Sequence, residues 1–316
     1  MSTAAAEIEQ AVVVGAGTMG HGIAQVLAQA GIHTTLCDVD QGVLDRGLAK
    51  VRENLDKGVE KQKLTAAERD AALQRLRGST TKDALATAQL LVEAIPEKLE
   101  WKRALFAEAD EKMPPGALLA SNTSSLSIAA IAAATRRPED VVGLHFFNPV
   151  HIMKLLEIVK GPQTSSSSLA RALDLAARLQ KTAIVVNDAP GFATSRLGIC
   201  LGNEAMRMLE QGVASATDID QAMKLGYGHP MGPLALSDLV GLDVRLHITE
   251  GLHAALGGGG GAAGGFLAPA ILRQLVQRGH TGKKSGHGFY VWENGAIVGE
   301  NPAAASVVAR ATGAAT

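Results

Sequence analysis

Residues 10–20 leave this chain few folds to choose from. Gln10–Val14 is a short, β-branched run, and Gly15-Ala-Gly17-Thr-Met-Gly20 follows it directly. A helical pattern continues over residues 21–29 and stops at Gly31. Glycines at this spacing, between a strand and a helix, do three separate jobs. Gly15 permits the tight turn, Gly17 lets the backbone approach a pyrophosphate, and Gly20 lets helix and strand pack closely. The helix start adds free amide hydrogens and the positive end of a dipole. A second strand, His33–Cys37, ends in Asp38, where a carboxylate can hold ribose hydroxyls and repel a 2′-phosphate. Strand, glycines, helix and acid together predict a dinucleotide site for NAD rather than NADP, built from Gly15, Gly17, Thr18, Met19, Gly20 and Asp38.

The rest of the chain supports a two-domain enzyme. Its 316 residues and 47% hydrophobic content suffice for two cores. Strand candidates at 10–14, 33–37, 89–93, 118–121, 141–147, 155–159 and 183–186 alternate with helical patterns. That order predicts an α/β fold with a doubly wound, mostly parallel sheet. Asn187-Asp-Ala-Pro-Gly191 breaks the alternation, and the remainder reads as helices, one of them opened by a capping box at Ser215-x-x-Asp218. The expected layout is a dinucleotide domain over 1–187 with a helical excursion at 43–76, an all-helical C-terminal domain over 188–295, and a disordered tail over 296–316. The glycine tract 257–265 reads as a flexible insertion.

Bulk properties narrow the partners. A net charge of −1 gives no general attraction to nucleic acid or membrane surface. No run of about 18 apolar residues exists to span a bilayer, and the first ten residues lack a signal peptide's apolar stretch. Cys37 and Cys200 neither pair obviously nor show metal-ligand spacing. The expectation is a cytoplasmic enzyme without a metal.

A second signal lies in Gly-Leu-His-Phe-Phe-Asn-Pro-Val-His-Ile-Met-Lys-Leu-Leu-Glu-Ile-Val (143–159). His145 ends one apolar run, and Glu157 sits inside the next. If the two runs are neighbouring strands, the side chains can face each other. The carboxylate would then fix the imidazole tautomer and stabilise its charged form, leaving the other ring nitrogen to exchange a proton with substrate. The bland alternative is a core histidine with Glu157 in a solvated salt bridge.

These motifs, with Leu-Val-Glu-Ala-Ile-Pro-Glu (91–97), Ala-Ser-Asn-Thr-Ser-Ser-Leu-Ser (120–127) and segments at 188–192, 223–243 and 282–292, resemble the L-3-hydroxyacyl-CoA dehydrogenase family, in its short single-function form, over roughly residues 8–292. The resemblance implies a Rossmann-like domain followed by a helical one. It implies NAD-dependent interconversion of (S)-3-hydroxyacyl-CoA and 3-oxoacyl-CoA, with short acyl groups favoured. His145 would be general base and acid, Glu157 its support, and Ser124 a hydrogen-bond donor to the substrate 3-oxygen. Glu97, Lys102, Ser124 and Asn148 match cofactor-contacting positions. Asn54 and Lys61, in the excursion, match positions that reach coenzyme A. Arg46, Lys50, Lys57 and Lys61 fall within about 60° on a helical wheel, although Glu53 shares their stripe. The family also forms homodimers through its helical domain, for which Leu197, Leu201, Met208, Leu234 and Leu236 are candidates here, though they would equally suit a monomer core.

One position departs from the family. After Pro190-Gly-Phe an asparagine normally precedes the arginine and helps hold the substrate carbonyl; here Ser195 precedes Arg196. A serine donates one hydrogen bond from a shorter arm. Two other readings stay open from sequence: a dehydrogenase of a free 3-hydroxy acid or sugar acid, and a non-enzymatic dinucleotide-binding regulator. The excursion favours a coenzyme A thioester over the first, and the presence of Ser124, His145 and Glu157 argues against the second.

Overall fold

A computed structural model describes residues 7–257 and 261–304, in two compact units that divide between Phe192 and Ala193. The first unit carries eight strands in one sheet: β1 (Gln10–Val14), β2 (His33–Cys37), β3 (Leu76–Ser79), β4 (Leu90–Glu93), β5 (Leu118–Ser121), β6 (Val141–Phe146), β7 (Leu155–Lys160) and β8 (Thr182–Asn187). Their spatial order is β3-β2-β1-β4-β5-β6-β7-β8. Every neighbouring pair is parallel except β6 and β7. Its helices are α1 (Gly20–Gln29), α2 (Gln41–Glu60), α3 (Ala66–Arg75), α4 (Leu99–Lys112), α5 (Ile128–Ala132) and α6 (Ser166–Arg178).

The apolar runs of the central strands are continuous because both sheet faces are covered. Successive residues go to opposite sides: Val13, Leu90, Val92, Leu118, Ala120, Val142 and Leu144 join one core with α1 and α6. Val12, Val14, Leu91, Leu119 and Val141 join the other with α4 and α5. Each fully buried Val, Leu or Ile contributes about 1.5–3 kcal/mol. The strand order reverses direction between β1 and β4, which opens a crevice at their carboxyl ends.

The excursion at 43–76 is a helical hairpin. Asp40 caps α2 by accepting from the Val43 amide, and Thr65 with Glu68 forms a capping box on α3. Val51, Leu55 and Ala72 hold the hairpin to Ala28 of α1. The chain then adds β3, a strand not expected from sequence. Its Leu-Arg-Gly-Ser pairs only with β2 at the sheet edge and has no apolar alternation to announce it.

The first unit runs five residues past the expected boundary at 187. Asp188 accepts from Ser127 Oγ and the Ala129 amide, both at 2.8 Å, and Phe192 is buried in the second core. Those contacts tie 188–192 back to the sheet.

The second unit is helical as expected: α7 (Thr194–Glu210), α8 (Ala216–Gly226), α9 (Pro233–Val240), α10 (Leu242–Ala255) and α11 (Ala270–Gln277). Ser215 caps α8 through the Asp218 amide. A hairpin is added, β9 (Tyr290–Glu293) paired antiparallel with β10 (Ala296–Glu300). Asn294 and Gly295 connect them, both at positive φ, the two-residue turn that suits a hairpin's twist. The expectation of a disordered tail from 296 is therefore corrected over 296–304, where Asn301 also donates to the Gly288 carbonyl; residues 305–316 lie outside the described ones. The glycine tract is corrected in part. Gly261–Phe266 forms a short 3₁₀ turn, Phe266 packs on Ile199 and Leu252, and Arg207 donates to the Gly265 and Leu267 carbonyls. Residues 258–260 lie outside the described ones.

Asp238 organises this unit. Fully buried, it accepts from the Phe289 and Tyr290 amides and from Trp292 Nε1 at 2.8–2.9 Å. Gly288 must be glycine because a Cβ there would lie 2.0 Å from Asp238 Oδ1.

Candidate active site

The crevice beside β1 and β4 widens into a cavity of about 1020 Å³ along the carboxyl edge of the sheet. Asp38, Val39, Thr80 and Lys82 line one end, beyond β2 and β3. Gly15, Gly17, Thr18 and Met19 line the middle, and Glu97, Lys102, Asn122, Ser124 and His145 the other end.

The glycine loop fits a pyrophosphate. Gly15 sits at φ +102°, where L side chains are strained, and a Cβ there would lie 2.4 Å from the Ala94 carbonyl oxygen. A Cβ at Gly20 would lie 1.6 Å from the Gly15 carbonyl oxygen. At Gly17, which lines the cavity, a Cβ would meet nothing within 4 Å, so packing within the protein does not require a glycine there. α1 starts with neither a side-chain cap nor an acidic residue in its first turn, which leaves its first amides to an anion. Asp38 Oδ2 accepts from the Ala16 amide at 2.8 Å and Oδ1 from the Asp40 amide at 3.1 Å. The acid thus braces the loop from the strand that flanks it, with its carboxylate on the cavity wall.

At the far end the sheet reverses strand direction for one pair, and that reversal creates the second motif. β6 and β7 run antiparallel in a register that sets His145 directly opposite Glu157. The two-residue period then puts both side chains on one face. His145 Nδ1 lies 2.8 Å from Glu157 Oε2. Glu157 is fully buried and His145 is 7% exposed, with Phe147 and Phe192 against the imidazole at centroid distances of 4.5 and 6.0 Å. Such shielding strengthens the hydrogen bond and restrains the ring, and His145 lines the cavity.

At the same end, Glu97 and Lys102 join an acid that the sequence reading does not name, Glu93. Glu93, the last residue of β4, is fully buried. Lys102 from α4 is also buried, with Nζ 2.6 Å from Glu93 Oε1 and 3.0 Å from Glu97 Oε2. Ser121 Oγ donates to Glu93 at 2.6 Å. Glu97 accepts from Thr123 Oγ1, Ser125 Oγ and the Ser124 amide, and so holds the serine loop. Burial pushes the Glu93 carboxyl up, and Lys102, Ser121 and the Ile95 amide offset this only partly. Burial also acts on Glu97, but there the charge of Lys102 and the hydroxyls outweigh it and hold the carboxyl below the usual range. A carboxylate that ends an apolar strand, followed nine positions later by a lysine on an amphipathic helix, was the available signal.

The other candidates are dispersed. Asn148 is exposed in the loop after β6, outside the cavity wall. Asn54 donates to Gln25 Oε1 at 3.1 Å, and Lys61 is exposed just past α2. Lys50 and Lys57 share the single carboxylate of Glu53, so the stripe keeps a net positive charge. Ser195 is the second residue of α7, in the second unit. Ser127 caps α5.

Comparison with known proteins agrees with this geometry. Residues 10–189 match the family model "3-hydroxyacyl-CoA dehydrogenase, NAD binding domain", and residues 191–292 match the same family's C-terminal domain. A probable 3-hydroxybutyryl-CoA dehydrogenase of Bacillus subtilis is 43% identical, the match covering 91% of this chain and 98% of the relative. A 3-hydroxyadipyl-CoA dehydrogenase of Escherichia coli is 41% identical over 92% of this chain and 61% of the relative. The crystal structure of (S)-3-hydroxybutyryl-CoA dehydrogenase from Ralstonia eutropha superposes with a TM-score of 0.86 at 38% identity, covering 91% of this chain and all of that one. With an open glycine loop, a bracing acid and a carboxylate-held histidine on one cavity wall, the chain belongs to the 3-hydroxyacyl-CoA dehydrogenase family and is an NAD-dependent oxidoreductase.

Proposed function

We propose that the protein interconverts short-chain (S)-3-hydroxyacyl-CoA and 3-oxoacyl-CoA, with 3-hydroxybutyryl-CoA the favoured substrate. The observation that carries this reading is the 2.8 Å contact of His145 with buried Glu157 on the wall of the dinucleotide cavity. Bound NAD supplies the hydride acceptor. Asp38 and the glycine loop hold the adenosine and pyrophosphate, which puts the nicotinamide near His145 and Ser124. In oxidation His145 takes the proton of the 3-hydroxyl, and in reduction it returns it to the 3-oxygen. Glu157 keeps the imidazole oriented and stabilises its charged form. Ser124 donates to the same oxygen, on a loop that Glu97 holds. Ser195 stands where the family's amide supports the substrate carbonyl; a lost donor at such a place costs on the order of 10²-fold in rate.

Coenzyme A would be met by Lys61 and Asn54 on the helical hairpin. Lys61 takes no part in the ion pairs among the described residues. The test is NADH oxidation at 340 nm with acetoacetyl-CoA, beside NADPH and beside free acetoacetate. Turnover of the thioester with NADH alone is expected. Turnover of free acetoacetate at the same efficiency would instead select the free-acid dehydrogenase.

We also propose a cytoplasmic homodimer formed through the second unit. Leu197, Leu225 and Tyr227 are 71%, 82% and 77% exposed there and supply apolar surface for a partner copy to cover. Leu236 is exposed as well, whereas Leu234 is fully buried and belongs to the unit's own core. No helix of the described residues is long and apolar enough to cross a membrane. Sedimentation should give the mass of two chains, and Leu225→Glu combined with Tyr227→Glu should shift it toward one. A wild-type protein that sediments as a single chain at micromolar concentration removes the dimer.

A further inference from the structure

The acids at the end of β4 carry an imbalance of charge that neither packing nor the proton chemistry of His145 requires. One ammonium, Lys102, is shared by two carboxylates, Glu93 at 2.6 Å and Glu97 at 3.0 Å. The other donors to these acids are neutral: the Ile95 and Ser124 amides and the hydroxyls of Ser121, Thr123 and Ser125. With both carboxylates ionised, as the ammonium of Lys102 between them favours, one negative charge is in excess. Glu93 and Lys102 are shut off from water, whereas the Glu97 side chain is 36% exposed, so solvent reaches the surplus only through Glu97. Glu97 and Lys102 line the cavity at its His145 end; Glu93 lies behind them.

We propose that the Glu93–Lys102–Glu97 cluster sets the charge facing the nicotinamide and thereby favours the oxidised cofactor over the reduced one, with Glu93 as a positioning residue that touches neither cofactor nor substrate. The inference rests on the placement of the nicotinamide beside His145 given above. The nicotinamide ring carries one positive charge when oxidised and none after it accepts a hydride, while the rest of the dinucleotide is unchanged. A fixed negative charge in the cavity wall attracts the first state and is indifferent to the second. Glu97 supplies the face of the cluster. Glu93 fixes Lys102 between the two acids and contributes the charge that Lys102 leaves uncancelled.

Glu93→Gln tests this with little change of shape. The amide oxygen can keep the bonds from Lys102 and the Ile95 amide, and the amide nitrogen can donate to Ser121 Oγ. Dissociation constants of NAD+ and of NADH are measured by calorimetry for the wild type, Glu93→Gln, Glu93→Asp and Glu111→Gln, the last removing an exposed charge from the same helix. Glu93→Gln is expected to raise the ratio Kd(NAD+)/Kd(NADH) roughly three- to tenfold. Glu93→Asp keeps the charge and should keep the wild-type ratio even where both affinities weaken together, and Glu111→Gln should leave both constants alone. An unchanged ratio in Glu93→Gln, or an equal shift in Glu93→Asp, overturns the proposal and leaves Glu93 a packing residue. Failure of the nicotinamide placement shows separately, as a His145→Gln enzyme that retains full turnover.

Discussion

His145→Gln should lower kcat with acetoacetyl-CoA and NADH by on the order of 10³-fold, with NADH affinity close to the wild type. Glutamine can occupy the space and still hydrogen-bond, but it cannot carry a proton to the 3-oxygen. The imidazole is held on Nδ1 by Glu157 at 2.8 Å and flanked by Phe147 and Phe192, so its orientation is set before substrate arrives. Glu157→Gln should cost less, on the order of 10²-fold in kcat, since it leaves the base in place but withdraws the charge that stabilises the imidazolium. Both variants keep the glycine loop and Asp38, so a kcat loss without a matching loss of NADH binding is the signature to look for. Wild-type turnover in His145→Gln would end the proposed role. Lost NADH binding in either variant would mean that the pair supports the fold rather than the chemistry.

The second large effect separates two glycines of one motif. Gly20→Ala should lower stability by about 3–5 kcal/mol or prevent folding. Its methyl would lie 1.6 Å from the Gly15 carbonyl oxygen and 2.8 Å from the Gly15 carbonyl carbon, and backbone that is itself pinned by the turn has nowhere to go. Gly17→Ala, in contrast, should fold with a Tm within about 2 °C of the wild type, because its methyl meets no protein atom within 4 Å. It should nonetheless bind NADH on the order of 10²-fold more weakly, since the methyl occupies the room through which the pyrophosphate approaches the loop. Thermal melts and NADH titration of the two variants check this. A Gly17→Ala protein that binds like the wild type would show that the pyrophosphate passes elsewhere. A Gly20→Ala protein that melts like the wild type would contradict the turn itself.

The legible parts of this protein are those whose physics is local. The strand–glycine–helix motif can be read because each glycine answers a constraint within ten residues, and the parallel sheet because continuous apolar strands need cover on both faces. The pairing of His145 with Glu157 was conditional on the two runs being neighbours, and only the antiparallel register of β6 and β7 satisfied that condition. β3 has no local signal, because a polar edge strand is defined by the neighbour that accepts it. The β9–β10 hairpin does have a local signal, Asn294-Gly295 between two apolar runs. Glu93 is the opposite case. As a letter it is an acid at the end of a strand; its meaning comes from Lys102 nine residues on, from Ser121 on the next strand, and from burial that leaves no water to substitute for either.

The sequence by itself determined the family, the cofactor and the identity of the acid–base histidine candidate, because these depend on residue types at short, fixed spacings. The tertiary structure alone decided which charges share one desolvated site, which glycine faces open space and which faces backbone, and which leucines of the second unit stay exposed. Those are properties of distance and dielectric, and residues far apart in the chain acquire them only when the fold brings them together and removes the water between them.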